Sequence, residues 1–533
     1  MKIVKIILFI ILPLNLSGQL NNSMYFMPEL YQARFLNPAY QHPCRVNIGL
    51  PVLSSIYLNY ANTNISGHVI YNTKTDSGNV LVPSKLVKKL SKKNYVSLET
   101  HISLFSLGIK RNDNYFSFDI TEKVDVYVGF PKDILDFVIT GNDPEVNGKT
   151  TTKGLGVDFN HYREYALGYS RPLNNQLTVG VKGKLLFGKL NLYTKKLDLD
   201  ITTDPVDYSW LLELKSNIKS SIPGLTVPKD TATGLIGQPD INMDELLTLN
   251  TLLNRKNPGI AFDFGATYNY SEKIDFYASL IDLGFLRWRT NPIGLEQDGE
   301  IDFTGIGNIL RIGDYDYNEF LDSLYNEFLV DVLNKNYFSW LPPKIYAGAT
   351  YKLTPGISLG ALGRGMIYNR KIFPSLSLSA NIQVFRSFKT AFTYSIINRS
   401  YNNAGLAFYV GRRGLQFYLV GDNLIGSIRP LYLFYKGNFA PEDVALVIQN
   451  VDLRFGFNII FGCRQKEKGS SGSYYFNEKG NTESSTPSIY SHQKSKLTIP
   501  NLRKKGCTWM KRMEPDYIKK KKYMKKNWWR LRK

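Results

Sequence analysis

Side chains that commonly do chemistry are sparse and scattered in this chain of 533 residues. Five histidines, His42, His68, His101, His161 and His492, fall in none of the close spacings that hold a metal. No nucleophile elbow, phosphate-binding loop or dinucleotide-binding glycine pattern stands between a strand and a helix. Carboxylates are spread over turns and strands, and no nucleophile and base can be paired into catalytic roles. The chain is therefore read as a non-enzyme, with no catalytic residues, no metal and no cofactor. Three cysteines, Cys44, Cys463 and Cys507, match no metal or redox motif. Their odd number favours free thiols, with a Cys44–Cys463 pair as the alternative if both lie at one end of a barrel.

The charges that could act do so by position. Lys182 and Lys184 share the polar face of one alternating segment, and Asp263 and Asp275 lie on the polar faces of two others. In a barrel these faces line the lumen, where charge is hydrated or paired. Two readings stand side by side: a charge-selective passage, or an ion-pair network filling a narrow interior.

The elements that must hold these charges are strands. Residues 451–461 place Val451, Leu453, Phe455, Phe457, Ile459 and Phe461 on one face, with Asp452, Arg454, Gly456, Asn458 and Ile460 on the other, largely polar one. Residues 177–187 and 262–270 repeat that period of two, as do 274–280, 376–384 and 388–396. Strands are expected near 46–59, 95–110, 114–128, 162–171, 177–189, 191–202, 259–270, 273–285, 344–353, 356–367, 376–385, 388–397, 402–411, 415–422 and 451–461, with weaker signals at 62–71 and 429–436. Many segments reach nine to eleven residues, the length a tilted membrane strand needs. The alternation recurs past the point where a soluble sandwich would close. Aromatics near strand ends, such as Tyr268, Tyr270 and Trp288 beside Leu286, suit interfacial girdles. The expected fold is all-β, a transmembrane antiparallel barrel of about 14 strands.

Composition agrees. Tyr and Phe number 35 and 30, favouring strands. Mean hydropathy is slightly negative, unlike that of a helical membrane protein. Lys2 and Lys5, the apolar run Ile6 to Leu16 and Ser17-Gly18-Gln19 read as a signal peptide cut after Gly18. No later stretch offers 18 uncharged apolar residues, so export leaves the periplasm, the outer membrane or the exterior, and the strand pattern makes the outer membrane the expected location. Net charge is +21, but residues 464–533 hold 20 Lys/Arg against 5 Asp/Glu. The basic character thus belongs to a tail expected to be disordered. The expected organisation is a signal peptide at 1–18, an N-terminal segment at 19–45, a barrel at 46–462 and the tail at 463–533. Helices are expected at 83–92, 131–139, 242–254 and 316–335, the last two within long external inserts, 203–258 and 287–343.

Residues 35–40 read Phe-Leu-Asn-Pro-Ala-Tyr, just before the first long strand. This resembles the hatch of the FadL-like long-chain fatty acid transporters, and the same motif occurs in Bacteroidetes outer-membrane proteins, including the PorP-like proteins of type IX secretion. The stretches 48–60 (IGLPVLSSIYLNY), 128–133 (VGFPKD) and 165–170 (YALGYS) look like a Bacteroidetes barrel family of unknown function. The resemblance covers roughly residues 20–462. It implies that Asn37, Pro38 and Ala39 belong to a segment tucked into the barrel; Pro38 itself restricts Asn37 to extended backbone. It implies a channel or transporter for small molecules, hydrophobic ones included, in the outer membrane. The alternative is a structural or assembly component of a secretion, gliding or surface-attachment machinery. Expected partners are outer-membrane lipid, a small hydrophobic ligand or secretion and surface-machinery proteins, and no nucleic acid.

Overall fold

The computed structural model describes residues 22–463, apart from 63–72, 76–77, 81–86, 89, 141–147, 207–208, 229–238, 247, 304–330, 369–370, 386, 398–399, 413 and 424–449. The leading segment 1–18, the weaker strand signals at 63–71 and 429–436, half of the expected helix at 83–92 and most of that at 316–335, and the basic tail from 464 lie outside the described residues.

The period-two segments become the strands β1 (Cys44–Gly49), β2 (Ile56–Asn62), β3 (Lys93–Arg111), β4 (Asn114–Pro131), β5 (Gly156–Pro172), β6 (Leu177–Thr203), β7 (Trp210–Ser221), β8 (Asn257–Asn269), β9 (Ile274–Trp288), β10 (Pro292–Phe303), β11 (Asp331–Leu333), β12 (Tyr337–Trp340), β13 (Lys344–Thr354), β14 (Ile357–Tyr368), β15 (Lys371–Phe385), β16 (Phe388–Ile397), β17 (Ser400–Arg412), β18 (Leu415–Gly421) and β19 (Asn450–Cys463). They close an antiparallel barrel of 14 strand positions. β19 pairs back onto β1 and β2, with Cys44 opposite Cys463 and Ile56 opposite Phe455. Closure leaves the 14 barrel positions no free edge among the described residues, as a span through hydrocarbon requires.

The polarity is the reverse of a soluble sandwich. Leu167, Leu185, Phe262, Phe264, Phe276, Leu378, Phe392 and Phe457 stand on the outer face and are exposed. Alternate positions, among them Ser377, Ser379, Ser395, Asp452, Arg454 and Asn458, point inward and are buried. An apolar band outside and a polar interior are what a lipid-embedded barrel needs. At one end the hairpin connections are short, two to four residues between β3 and β4, β5 and β6, β8 and β9, β13 and β14, β15 and β16, and β17 and β18. The opposite end carries the long connections.

Several expectations are corrected. The strand expected at 46–59 is one position broken into β1 and β2 by Leu50–Ser55, where Val52 adopts a left-handed φ of 65°. The two strands expected at 177–189 and 191–202 are the single 27-residue β6, with a register shift where His161 and Tyr162 of β5 oppose it. The inserts 203–258 and 287–343 are more than helical loops. β7 pairs with the upper half of β6, β10 pairs with β7, and β11 pairs with β10. They extend the wall beyond the end of β8 and β9. The last residues of the helix expected at 316–335 include the strand β11. A short helix does follow β4, at Lys132–Thr140, and the expected helix at 242–254 is two single turns, Met243–Leu246 and Leu249–Leu252.

One irregularity has wide effect. In β9, Ile281 and Asp282 together oppose Asp263 of β8, and Asp282 takes a φ of 61°. This is a β-bulge, and an extra residue moves every later side chain to the other face. Before the bulge Asp275 and Ser279 point inward; after it Asp282, Leu286 and Trp288 do. Trp288, expected in an outer girdle, is thus fully buried, stacked on Tyr337 and donating Nε1–H to Ser339 Oγ at 2.8 Å. Tyr268 and Tyr270 remain exposed at the short-turn end.

Candidate functional site

The lumen is occupied by the chain's own N-terminal segment. Residues 22–42 run from a helical turn (Asn22–Tyr25) through a 3-10 turn (Tyr31–Phe35) to the Asn37-Pro38-Ala39 motif, and nearly every side chain is buried. Met24, Tyr25, Phe26, Met27, Leu30, Leu36 and Tyr40 form a cluster with inward residues of the wall, including Tyr346, Leu362, Tyr409 and Tyr418. No strand ladder joins this hatch to the wall. Polar side chains hold it instead. Asn22 donates to Ser377, the Ser23 N–H to Asp422, Gln32 to Asn458 and to Ser54 O, and Gln416 to Glu29 O. Lys389 forms an ion pair with Glu29 at 2.7 Å.

The motif is the tightest part of the fit. Asn37 Nδ2 reaches Tyr25 Oη at 3.2 Å, Ala266 O at 3.3 Å and Ala278 O at 3.4 Å, while Asn37 Oδ1 accepts the Ala39 N–H at 3.0 Å. The last bond is an Asx turn, a conformation Asn favours. Facing it are Gly180 of β6 and Gly265 of β8, direct partners in the sheet. A Cβ on Gly180 would lie 2.3 Å from Pro38 O, and one on Gly265 would lie 2.1 Å from Asn37 Oδ1. Only glycine lets the two backbones approach this closely.

The hatch also brings charge. Arg34 Nη2 lies 3.6 Å from Asp119 Oδ2, Tyr31 donates to Asp119 Oδ1 at 2.8 Å, and Lys182 Nζ is 3.5 Å from both Asp119 Oδ2 and Arg34 O. The Arg34 guanidinium lies over the rings of Tyr31 and Tyr115. Beyond the hatch a second network crosses the lumen. Lys184 Nζ sits 2.7 Å from both Asp263 Oδ1 and Asp282 Oδ1, Lys123 Nζ sits 2.7 Å from Glu164 Oε2, and Lys344 Nζ is 3.5 Å from Asp282 Oδ2. The bulge supplies the third acid: Asp282 enters the lumen beside Asp263 and donates its N–H to Asp263 Oδ1 at 2.8 Å.

The four charges singled out in the sequence therefore divide. Lys182 contacts the hatch, Lys184 and Asp263 are at the centre of the second network, and Asp275 pairs with Lys352 at 2.6 Å near the short-turn end. Asp119, Lys123, Glu164, Asp282, Lys344, Arg364 and Arg454 were not singled out. Asp119, Lys123 and Glu164 occupy the polar faces of β4 and β5, so alternation alone could have found them; Asp282 could not be found that way, because its phase depends on the bulge.

Among the described residues, Glu99, His101 and Asp125 present three possible metal ligand atoms within 4.8 Å of one another. His101 Nε2 is 2.9 Å from Asp125 Oδ1 and Tyr127 donates to Glu99, so the group is closed by its own hydrogen bonds. At the short-turn end Cys44 and Cys463, expected as free thiols, are joined in a disulfide between the first and last strands. The pairing register placed them opposite each other, a relation 419 residues apart that spacing cannot disclose.

A closed barrel with an apolar outer face and a polar lumen filled by its own N-terminal hatch defines a membrane-spanning β-barrel of the plugged class. The chain belongs to a family of unknown function, DUF5723, whose profile matches residues 38–422. No curated protein matches in sequence. Among solved structures, the toluene transporter TbuX of Ralstonia pickettii is similar at 9% identity, over 80% of this chain and 93% of that one, with a TM-score of 0.36. A FadL homologue of Pseudomonas aeruginosa is similar at 9% identity, over 84% and 100%, with a TM-score of 0.35. The toluene transporter TodX of Pseudomonas putida follows at 8% identity, over 84% and 94%, with a TM-score of 0.32. The barrel assignment rests on this chain's own strand pairing.

Proposed function

We propose that this protein is a hatch-gated transport barrel of the outer membrane, exported behind residues 1–18, with lipid as the partner of its apolar outer band. One observation carries the reading: the wall at hatch level is built small. Gly180, Gly265, Gly360 and Gly405 each lie so close to the hatch that a Cβ would collide with it. Ser377, Ser395, Ala391 and Ala407 line the same level. Small wall residues leave a bore, and a separate segment held by exchangeable polar bonds stoppers it. A barrel built only as a scaffold would fill its interior from the wall.

The solute class follows from the lining. The cavity against the hatch carries six Lys/Arg and four Asp/Glu side chains. That favours a polar or charged solute over the hydrophobic one that the motif's resemblance implies. The cross-linked Cys44 and Cys463 suit an oxidising compartment outside the cytoplasm. The structural alternative, a component of a secretion, gliding or attachment machinery, draws support from the same plugged lumen, which is closed as it stands.

Solute uptake into liposomes separates the two. The folded full-length protein and a variant lacking residues 22–41 are compared, with folding checked by heat-dependent gel mobility. A transport barrel shows slow solute entry with the full chain and a large rise without the hatch. No entry of any ion or small solute in either form rules transport out. Fractionation of the mature chain with outer membranes tests the location separately.

A further inference from the structure

Arg364 of β14 and Arg454 of β19 are buried in the lumen wall, 5% and 4% exposed. Yet no described carboxylate oxygen lies within 4.0 Å of either guanidinium. This contrasts with Lys123 and Lys184, whose charges are met by Glu164, Asp263 and Asp282. Arg364 Nε donates to Tyr346 Oη at 3.2 Å, and its Nη1 has no partner. Arg454 Nη1 donates to Ser55 Oγ at 3.2 Å, and its Nε has no partner. The Tyr57 ring lies 4.3 Å from the Arg454 guanidinium and Tyr346 lies 5.7 Å from that of Arg364. Rings offset part of a buried positive charge but accept no N–H in the guanidinium plane.

Both arginines line one cavity of about 50 Å³, closed on the hatch side by Phe35 and Leu36. That volume has room for roughly four waters or one ion of a few heavy atoms. Its charged lining is cationic in excess. A buried guanidinium N–H without an acceptor is costly, and the planar N–H groups of arginine match the paired oxygens of a carboxylate or phosphate.

We infer that this cavity is a binding site for a small oxyanion, a carboxylate or phosphate group held between Arg364 and Arg454 above Phe35 of the hatch. The inference rests on the guanidinium N–H groups of Arg364 and Arg454 that have no acceptor and holds whether or not the barrel transports. If it does transport, the site is where an anionic solute would meet the hatch.

The test is a titration of the purified, folded full-length protein in detergent at constant ionic strength. 13C-acetate and inorganic phosphate are added in separate arms, and broadening of the ligand resonance is followed. Saturable broadening by either ion is expected, and the arm that saturates identifies the oxyanion. R364Q and R454Q should each weaken it about tenfold or more, since each removes a charge-assisted contact. R364K and R454K keep the charge and should weaken it less, which covers the case in which a glutamine variant fails to fold. Absence of saturable broadening with the unmodified protein overturns the inference, as does broadening that every folded variant leaves unchanged.

Discussion

Gly180 and Gly265 face each other across neighbouring strands, and the backbone of Asn37-Pro38-Ala39 lies directly on the pair. Neither wall nor hatch can give way there, because most atoms a new Cβ would meet are backbone or ring atoms of the motif. G180A and G265A should therefore each destabilise the plugged state by about 1–3 kcal/mol. Limited proteolysis should then cut the segment 22–42 faster. Gly183, whose Cβ would meet nothing within 4 Å, is the control, and G183A should leave cleavage unchanged.

Asn37 satisfies both ends of its carboxamide at once. Replacing it by Ala strips a donor from Tyr25 and two wall carbonyls. A loss of about 1–3 kcal/mol is expected, read as a lower thermal midpoint in the gel-mobility assay. N37D should be worse than N37A, because a buried carboxylate would face the carbonyl oxygens of Ala266 and Ala278. Equal midpoints for N37A and the native chain would show that the motif is only a turn.

Lys184 is the sole lysine within 3 Å of both Asp263 and Asp282 among the described residues. K184M leaves two buried carboxylates facing each other, and a loss of about 3–5 kcal/mol is expected. Adding D263N to K184M should recover part of it. The rim pair Lys352–Asp275, with Lys352 a third exposed, should matter less: K352A is expected to cost about 1 kcal/mol or below. Urea midpoints of the four proteins decide the order.

The disulfide gives a count to check. Of three cysteines, two are joined, so denatured protein should titrate one thiol without reductant and three with it. C44S should unfold at lower urea than the native chain, by an amount of about 2–5 kcal/mol. Equal thiol titres with and without reductant would sink the assignment.

His42 is buried beside the positive charges of Arg34 and Lys110; burial first, and then these charges, bring its pKa down to about 3. The folded state thus resists a proton that the unfolded chain accepts near 6.5. Its contribution is fully present above pH 6.5 and shrinks as pH falls from 6.5 toward 3, at no more than about 1.4 kcal/mol per pH unit. Stability of the native protein should therefore drop between pH 7.5 and 5.5 more than that of H42Q. Parallel curves would show that His42 does not titrate differently on unfolding.

Much of this was readable from residue order. Alternation through 177–187 and 451–461 is a local property, so it exposed the barrel and the inward placement of Lys182 and Lys184. The Asn-Pro-Ala motif marked the hatch through its resemblance to that of the FadL-like transporters; Pro38 by itself gave only an extended Asn37. What stayed hidden was non-local. Trp288 and Asp282 owe their direction to one bulge, whose phase shift follows from pairing between β8 and β9. The segments 210–221 and 292–303 looked like loop because their neighbours in the sheet, not their own pattern, make them strands. Cys44 and Cys463 meet only because the barrel closes.

The length of β6 has a consequence outside the membrane. Its 27 residues span about 90 Å along the strand, and about 65–70 Å of height at the usual tilt, against a hydrocarbon layer of about 30 Å. The upper half, with β7 and β10 alongside, must stand in water as a rigid parapet. Its surface carries Lys196, Lys215 and Asp298 rather than the bare apolar rings lower down. The protein thus presents the aqueous side with a hydrogen-bonded wall instead of a floppy fringe. Such a wall gives a protease little to grip.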